Sequence, residues 1–391
     1  MEYINNELCL GPLKKPLLPL VANYMRPIYV YDLDFIAQRF NAMAAALKGV
    51  RLFYAMKANS NPGVLQKLKS LGAGADVVSL GEIKRALECG FQPQDIVYSG
   101  VGKTKFEISE ALKLGIYQIN VESLPELERI GKIAREMGKK AAVALRLNPD
   151  VDIKTHPYIA TGLKDNKFGM ELSLVPALVD CLKSFTDSIS LVGVSLHLGS
   201  QMLEFSGYEE ALQRLKKVFL QLKKEFPDLK KFDFGGGLGI FYDRADLELE
   251  ESLLRQYAEI TLRTLADLNC ELQSEPGRWL VAHCGALITQ VQYIKETSAK
   301  TFVIVDAGMN HLIRPSLYEA SHRIEPLKKG PAAAVVDVVG PICESSDFFA
   351  KERSLTTVQE GDFLAIMDSG AYGYSMASIY NLQELPLEVC I

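Results

Sequence analysis

RLFYAMKANSNPGVLQKLKSLGAGADVVS, residues 51–79, decides how the chain folds. Arg51 to Ala58 is a short β-rich run, and Asn59 to Pro62 punctuates it. PGVLQKLKSL then repeats apolar residues at three- and four-residue steps before a second β-rich run, Gly74 to Ser79. A strand, a turn, an amphipathic helix and another strand make one βα unit, the building block of a parallel sheet. Similar runs follow at Ile96 to Gly100, Tyr117 to Glu122, Ala141 to Asn148, Leu191 to Gly199, Lys231 to Gly236 and Glu271 to Glu275. GEIKRALECG, FEISEALKLG and SLPELERIGKIAREMG supply helices between them, several ending in glycine as helices often do. Eight runs is the strand count of a (β/α)₈ barrel, with a doubly wound open sheet as the competing arrangement. Beyond about residue 276 the pattern changes to strands without long helices, in ALITQVQYIKE, TFVIVDAG, AAAVVDVVG and DFLAIMDSG. This reads as a separate β domain, so the predicted class is α/β with an added all-β part.

The composition agrees with two domains: 391 residues, 48% hydrophobic and 23% charged. A formal net charge of −5 disfavours nucleic acid and anionic membranes as partners and leaves a small molecule as the expected one. The seven cysteines are scattered, with no C-x-x-C pair for metal or redox work, which suits a reducing compartment and predicts no metal site. Glu2 and the prolines of MEYINNELCLGPLKKPLLPLVANYM argue against a signal peptide or a spanning helix, so a cytoplasmic location is expected.

Chemistry-bearing residues gather at the ends of different strand runs. Lys57, in LFYAMKANSNP, lies near the end of the first, where burial would lower its pKa and free its amine for reaction with a carbonyl. Taken singly, such a lysine is more often a surface residue. Gly235, Gly236 and Gly237 in FDFGGGLGI follow the seventh run and clear side chains from a backbone nest suited to phosphate, although a glycine run is often only a tight turn. Glu275, in SEPGRWLVA, ends the eighth with Gly277 beside it; a carboxyl there suits a pyridinium nitrogen, or else simply pairs with Arg278. His197 in VSLHLGSQ ends the sixth next to Ser200, placed to stack on a flat ring or to serve structurally. Four such groups at four strand ends describe one convergent site.

These motifs, together with GADVVSLGE, YSGVGKTKFEI, INVES, NPDVDIKTHPYIATGLKDNKFGM, VDAGMNHLIRPSLY, VGPICESSDFFA and GAYGYSMASIYN, run nearly end to end. They resemble the fold-type III pyridoxal-phosphate enzymes, and among them the diaminopimelate decarboxylases. The resemblance implies an alanine racemase-like TIM-type barrel over residues 26–275, carrying pyridoxal 5'-phosphate. It also implies a C-terminal antiparallel β-barrel or β-sandwich over 276–391, joined by the N-terminal segment 1–25. A head-to-tail homodimer with shared active sites is expected, with an amino acid as substrate. Lys57 would hold the cofactor, His197 would stack on its ring, and Glu275 would pair with its nitrogen. Ser200, Gly235, Gly236, Gly237, Gly277, Arg278 and Tyr372 would surround its phosphate region.

By the same resemblance Arg278, Arg314 and Tyr318 grip the distal carboxylate of the substrate. Glu344 pairs with the distal ammonium, Cys343 guides a proton, and Tyr372 reaches both cofactor and substrate. Read from the residues alone, Arg314 is equally a surface arginine and Cys343 a small buried hydrophobe. The implied reaction is decarboxylation of meso-2,6-diaminopimelate to L-lysine, the last step of lysine biosynthesis. The alternatives are a relative acting on ornithine, lysine, arginine, carboxynorspermidine, a D-amino acid or a carrier-bound one, or a non-catalytic cofactor-binding regulator.

Overall fold

The computed structural model describes residues 2–151, 167–243 and 246–391, and its chain forms two compact units. One comprises Asn41–Gly239 and Leu247–Gly277; the other comprises Met1–Phe40, Ile240–Asp246 and Arg278–Ile391. Most of the NPDVDIKTHPYIATGLKDNKFGM motif lies outside the described residues.

In the first unit, eight strands follow one another in chain order. They are β1 (Val50–Ala55), β2 (Gly74–Val77), β3 (Ile96–Tyr98), β4 (Gln118–Val121), β5 (Ala141–Asn148), β6 (Ile189–Ser195), β7 (Lys231–Asp233) and β8 (Glu271–Ser274). Each pairs in parallel with the next, and Leu272–Ser274 of β8 pairs with Val50–Leu52 of β1, which closes the barrel. Closure leaves these strands no free edge, and the crossover helices cover the outside. Those helices start where the sequence can satisfy their first N–H groups. Asn61 accepts from Gly63 and Val64 ahead of Pro62–Ser70, and Ser79 accepts from Glu82 ahead of Leu80–Glu88. Thr104 and Glu107 form a reciprocal capping box at Lys105–Leu114.

All eight predicted strand runs are strands, but several stop short of the predicted end. Met56–Ala58 is a 3₁₀ turn, so Lys57 sits just past β1, and His197 and Glu275 likewise lie one or two residues beyond β6 and β8. Apolar residues such as Leu196 continue past the last strand residue, which is why pattern alone overruns there. The consequence is that these side chains ride on short turns fixed to rigid strand ends.

The second unit is built on Gly285–Glu296. Its first half pairs antiparallel with Ile28–Tyr31 and Phe363–Ile366, and after a register shift between Val291 and Tyr293 its second half pairs with Thr301–Val305. Leu8, Leu10, Leu17, Ile28, Val30, Ile288, Leu327 and Met367 are fully or nearly fully buried in one cluster against this sheet. The sheet is mixed rather than wholly antiparallel. Thr301–Val305 pairs in parallel with Ala333–Val339, and Leu387–Cys390 in parallel with Ile28–Tyr31. A local hairpin code cannot forecast those two ladders, because their partners lie far apart in the chain.

Candidate active site

Within the barrel unit the strand ends bring together Lys57, Asp76, Asn120, Arg146, His197, Asp233, the glycines 235–237 and Glu275. Lys57 keeps 39% of its side-chain surface, so the burial expected of it is not found; instead its Nζ faces Oδ2 of the fully buried Asp76 at 3.7 Å. Burial raises the Asp76 pKa, and the Lys57 charge opposes that rise. Glu275 is buried and accepts a 3.0 Å hydrogen bond from Asn120 Nδ2. Its pKa is raised well above the ordinary range, first by burial and then by the neighbouring carboxylates of Asp233 and Asp76. Asp233 itself is pushed up to about 6 by burial, although a hydrogen bond to Glu275 and the Gly235 N–H favour its charged form. Three buried carboxyl groups so placed disfavour one another's charge, and at Glu275 both aspartates push in that direction.

Asn120 extends this network, taking a 2.8 Å bond from Gln118 and giving a 3.0 Å bond to Ser99. These buried polar side chains fix the Glu275 carboxyl from within the barrel. His197 is held neutral, its pKa lowered by burial and then by the positive charges of Lys57 and Arg146. Its Nδ1 lies 3.4 Å from the Gly236 N–H. Arg146, after burial in the wall, donates to Glu122 at 2.7 Å.

The glycine cradle has a steric reason. A Cβ on Gly236 would run into the Glu275 carbonyl, and one on Gly237 into the Gly199 carbonyl beside Ser200; Gly237 also has φ +105°, a left-handed value. Backbone therefore packs directly on backbone between β6, β7 and β8. Gly277 plays the same part at β1, where a Cβ would meet those of Ala55 and Ala58 at 3.2 and 3.3 Å on the turn that carries Lys57.

Within the second unit Arg278, Arg314, Tyr318 and Tyr372 stand with two residues that the sequence reading did not single out, Tyr242 and His322. Arg278 Nη1 donates to the Tyr242 hydroxyl at 2.6 Å, and its guanidinium lies 4.8 Å from the Tyr372 ring centre. Arg314 is 5% exposed, which removes the reading of it as a surface arginine. Its guanidinium sits 4.2 Å from the Tyr242 ring centre and donates to His322 Nε2 at 2.8 Å. Tyr318 ends the same short helix, Arg314–Tyr318, half-buried. Tyr372 takes φ +56°, an uncommon left-handed backbone for a tyrosine, in the turn Gly370–Gly373.

Cys343 is exposed, so the buried-hydrophobe reading of it fails. Its loop is nonetheless ordered: Asp347 accepts from the Met309 and Ile342 N–H groups at 2.6 Å, and Asn381 accepts from the Cys343 N–H at 3.0 Å. Glu344, also exposed, accepts from the Tyr380 hydroxyl at 2.7 Å.

Asp76 and Asp233 carried a usable sequence signal, an acid inside an apolar strand in GADVV and KFDFG. Tyr242 and His322 carried none, since their partners, Arg278, Arg314 and the Met367 carbonyl, are set beside them by the tertiary fold rather than by a local motif.

Comparison with known proteins fits this arrangement. Residues 33–282 match the family model described as "Pyridoxal-dependent decarboxylase, pyridoxal binding domain". The chain is 47% identical over 379 residues to a diaminopimelate decarboxylase of Helicobacter pylori, covering 95% of this chain and 92% of that protein. It is 42% identical over 392 residues to one of Aquifex aeolicus, covering 100% and 92%. Among solved structures, the diaminopimelate decarboxylase from Helicobacter pylori complexed with L-lysine superposes with a TM-score of 0.90 at 44% identity, covering 96% of this chain and 93% of that one. A family match over residues 33–282 and identities of 42–47% over nearly the full length, on a closed parallel barrel, show that the chain belongs to the pyridoxal-dependent decarboxylases.

Proposed function

We propose that the chain decarboxylates meso-2,6-diaminopimelate to L-lysine and carbon dioxide, using pyridoxal 5'-phosphate. The barrel residues fit that cofactor: an amine for its aldehyde at Lys57, side-chain-free backbone for its phosphate at Gly235–Gly237 with Ser200 and Gly277, and a proton-holding carboxyl for its ring nitrogen at Glu275. When bound, the group supplies an electron sink for the bond to the departing carboxylate. Glu275 keeps a proton at the ring nitrogen, and Asn120 and Asp233 hold Glu275 in place. His197, its pKa lowered by burial, would stack on the cofactor's ring without adding charge.

The observation that carries the substrate choice is Arg314, a buried guanidinium held, among the described residues, by an imidazole and a phenol ring rather than by an acid. A buried cation with neutral supports suits a ligand that brings the counter-charge. Diaminopimelate offers a distal carboxylate, whereas ornithine and lysine end in an amine. In this reading Arg278, Arg314 and Tyr318 take that carboxylate, and Tyr372 reaches the substrate and the phosphate region alongside Arg278. Glu344 takes the distal ammonium, and Cys343 guides a proton to the carbon that loses carbon dioxide. The last two are exposed yet held by Asn381 and Tyr380, which supports their serving the site of a second copy in a homodimer. A cytoplasmic location is proposed as well; seven free cysteines suit it, and among the described residues no helix is long and apolar enough to cross a membrane.

The test is carbon dioxide release from meso-diaminopimelate, L-lysine, L-ornithine and L-arginine in parallel. Release is expected from diaminopimelate, at a kcat/KM about 10⁴ or more above the rest if the carboxylate contact governs selection. Faster release from any of the other three would overturn the substrate assignment.

A further inference from the structure

We propose that His322 is a positioning residue for substrate selection: a neutral imidazole that fixes the orientation of the Arg314 guanidinium while leaving its charge unopposed. The inference rests on the reading of Arg314 as a carboxylate-binding residue. An arginine only donates hydrogen bonds and a backbone carbonyl only accepts them. Arg314 Nη1 lies 2.8 Å from His322 Nε2, and His322 Nδ1 lies 2.8 Å from the Met367 carbonyl. These two partners admit one form of the ring, with the proton on Nδ1 and a bare Nε2 facing the guanidinium.

The surroundings enforce that form. His322 is fully buried, and Arg314, Arg278 and Asp368 are the charged groups acting on it; burial and the Arg314 charge lower its pKa to about 3. The anchor is rigid, because the Met367 N–H in turn donates to the Arg323 carbonyl at 2.8 Å, extending the ladder between Ile324–Pro326 and Phe363–Ile366. Tyr242 completes the clamp. Its ring meets His322 edge-on at 5.1 Å between centres, lies under Arg314, and its hydroxyl takes a bond from Arg278. One phenol and one imidazole thus set two guanidiniums relative to each other.

The choice of an imidazole has a chemical reason. A carboxylate at the same place would orient Arg314 as well or better, but it would also neutralise it and compete with any anionic ligand. A neutral acceptor occupies one N–H and leaves the positive charge and the remaining donors for the ligand.

Gln and Glu at this position differ in charge but scarcely in shape, so the pair separates orientation from charge. Holoenzymes of the wild type, His322→Gln and His322→Glu would be compared for KM and kcat on meso-diaminopimelate, and for the Kd of pimelate, a dicarboxylate of the same length, by calorimetry. For His322→Gln both KM and Kd are expected within about threefold of wild type, and for His322→Glu both should rise about 10- to 100-fold with kcat changed far less. Equal values for the two variants, or a rise in Kd for Gln as large as for Glu, would overturn the assignment. If the Glu variant does not fold, His322→Leu takes its place: it should show the same rise, and values matching Gln would overturn the proposal. A wild type that binds pimelate but releases no carbon dioxide from diaminopimelate would refute the proposed reaction alone, with the Kd series still deciding the role of His322. A wild type that does not bind pimelate would refute the role of His322.

Discussion

Individual side chains in this protein are set by who shares their burial. Burial and two neighbouring carboxylates push the Glu275 pKa up, and burial and a guanidinium push that of His322 down. The histidine has a measurable consequence for stability. In the unfolded chain its pKa is about 6.5, against about 3 in the native protein. Below the unfolded value the denatured state takes up a proton that the folded state does not, so stability falls with falling pH until the native group titrates near 3. The slope from this one residue approaches about 1.4 kcal/mol per pH unit. Urea unfolding from pH 7.5 to 4.5 should therefore show wild type losing stability relative to His322→Gln as pH drops below about 6.5, with no divergence above about 7. Parallel curves across that range would contradict the buried neutral ring. That Lys57, Glu275 and the three glycines gather at barrel strand ends was legible in the sequence, because each follows a β-rich run, although the burial expected of Lys57 is not found. His322 and Tyr242 were not, because nothing near them in the chain reports that they face arginines.

At the level of elements, the candidate site residues sit on short turns that leave the barrel strands β1, β6, β7 and β8. β-rich runs located all eight strands and the 3.6-residue period located the first four helices between them; the strands read as apolar runs because they are buried on both faces. What they missed is where the ladders stop, and those last residues are where Lys57, His197 and Glu275 sit. The turn after β7 is the least tolerant of them. Gly236→Ala would drive a methyl group into the Glu275 carbonyl, a backbone atom with little room to move. The substitution should cost about 1–3 kcal/mol of stability and weaken cofactor retention together, because the same backbone forms the cradle. Thermal unfolding and dialysis against cofactor-free buffer would check both, and an unchanged melting temperature with full retention would contradict the packing described for this loop.

Across the whole molecule, two units contribute different chemistry. The barrel supplies an amine, an anion cradle and a proton-holding carboxyl; the mixed-sheet unit supplies guanidiniums set by neutral partners. The barrel was legible because eight repeats of one local pattern state it redundantly. The mixed sheet was legible only as a β domain, since its two parallel ladders join segments far apart in sequence. The central claim belongs to the barrel: the amine past β1 would take the aldehyde of the cofactor and the glycines past β7 its phosphate. The most direct measurement is the visible absorption of the purified, cofactor-reconstituted protein beside that of Lys57→Ala before any reduction, followed by borohydride treatment and denaturing gel filtration of each, with retained cofactor read by its near-ultraviolet absorption. The wild type is expected to be yellow and to retain the reduced cofactor through denaturation, and the Lys57→Ala protein to lose it. A wild type that remains colourless, or a Lys57→Ala protein that keeps the cofactor covalently, would contradict the account.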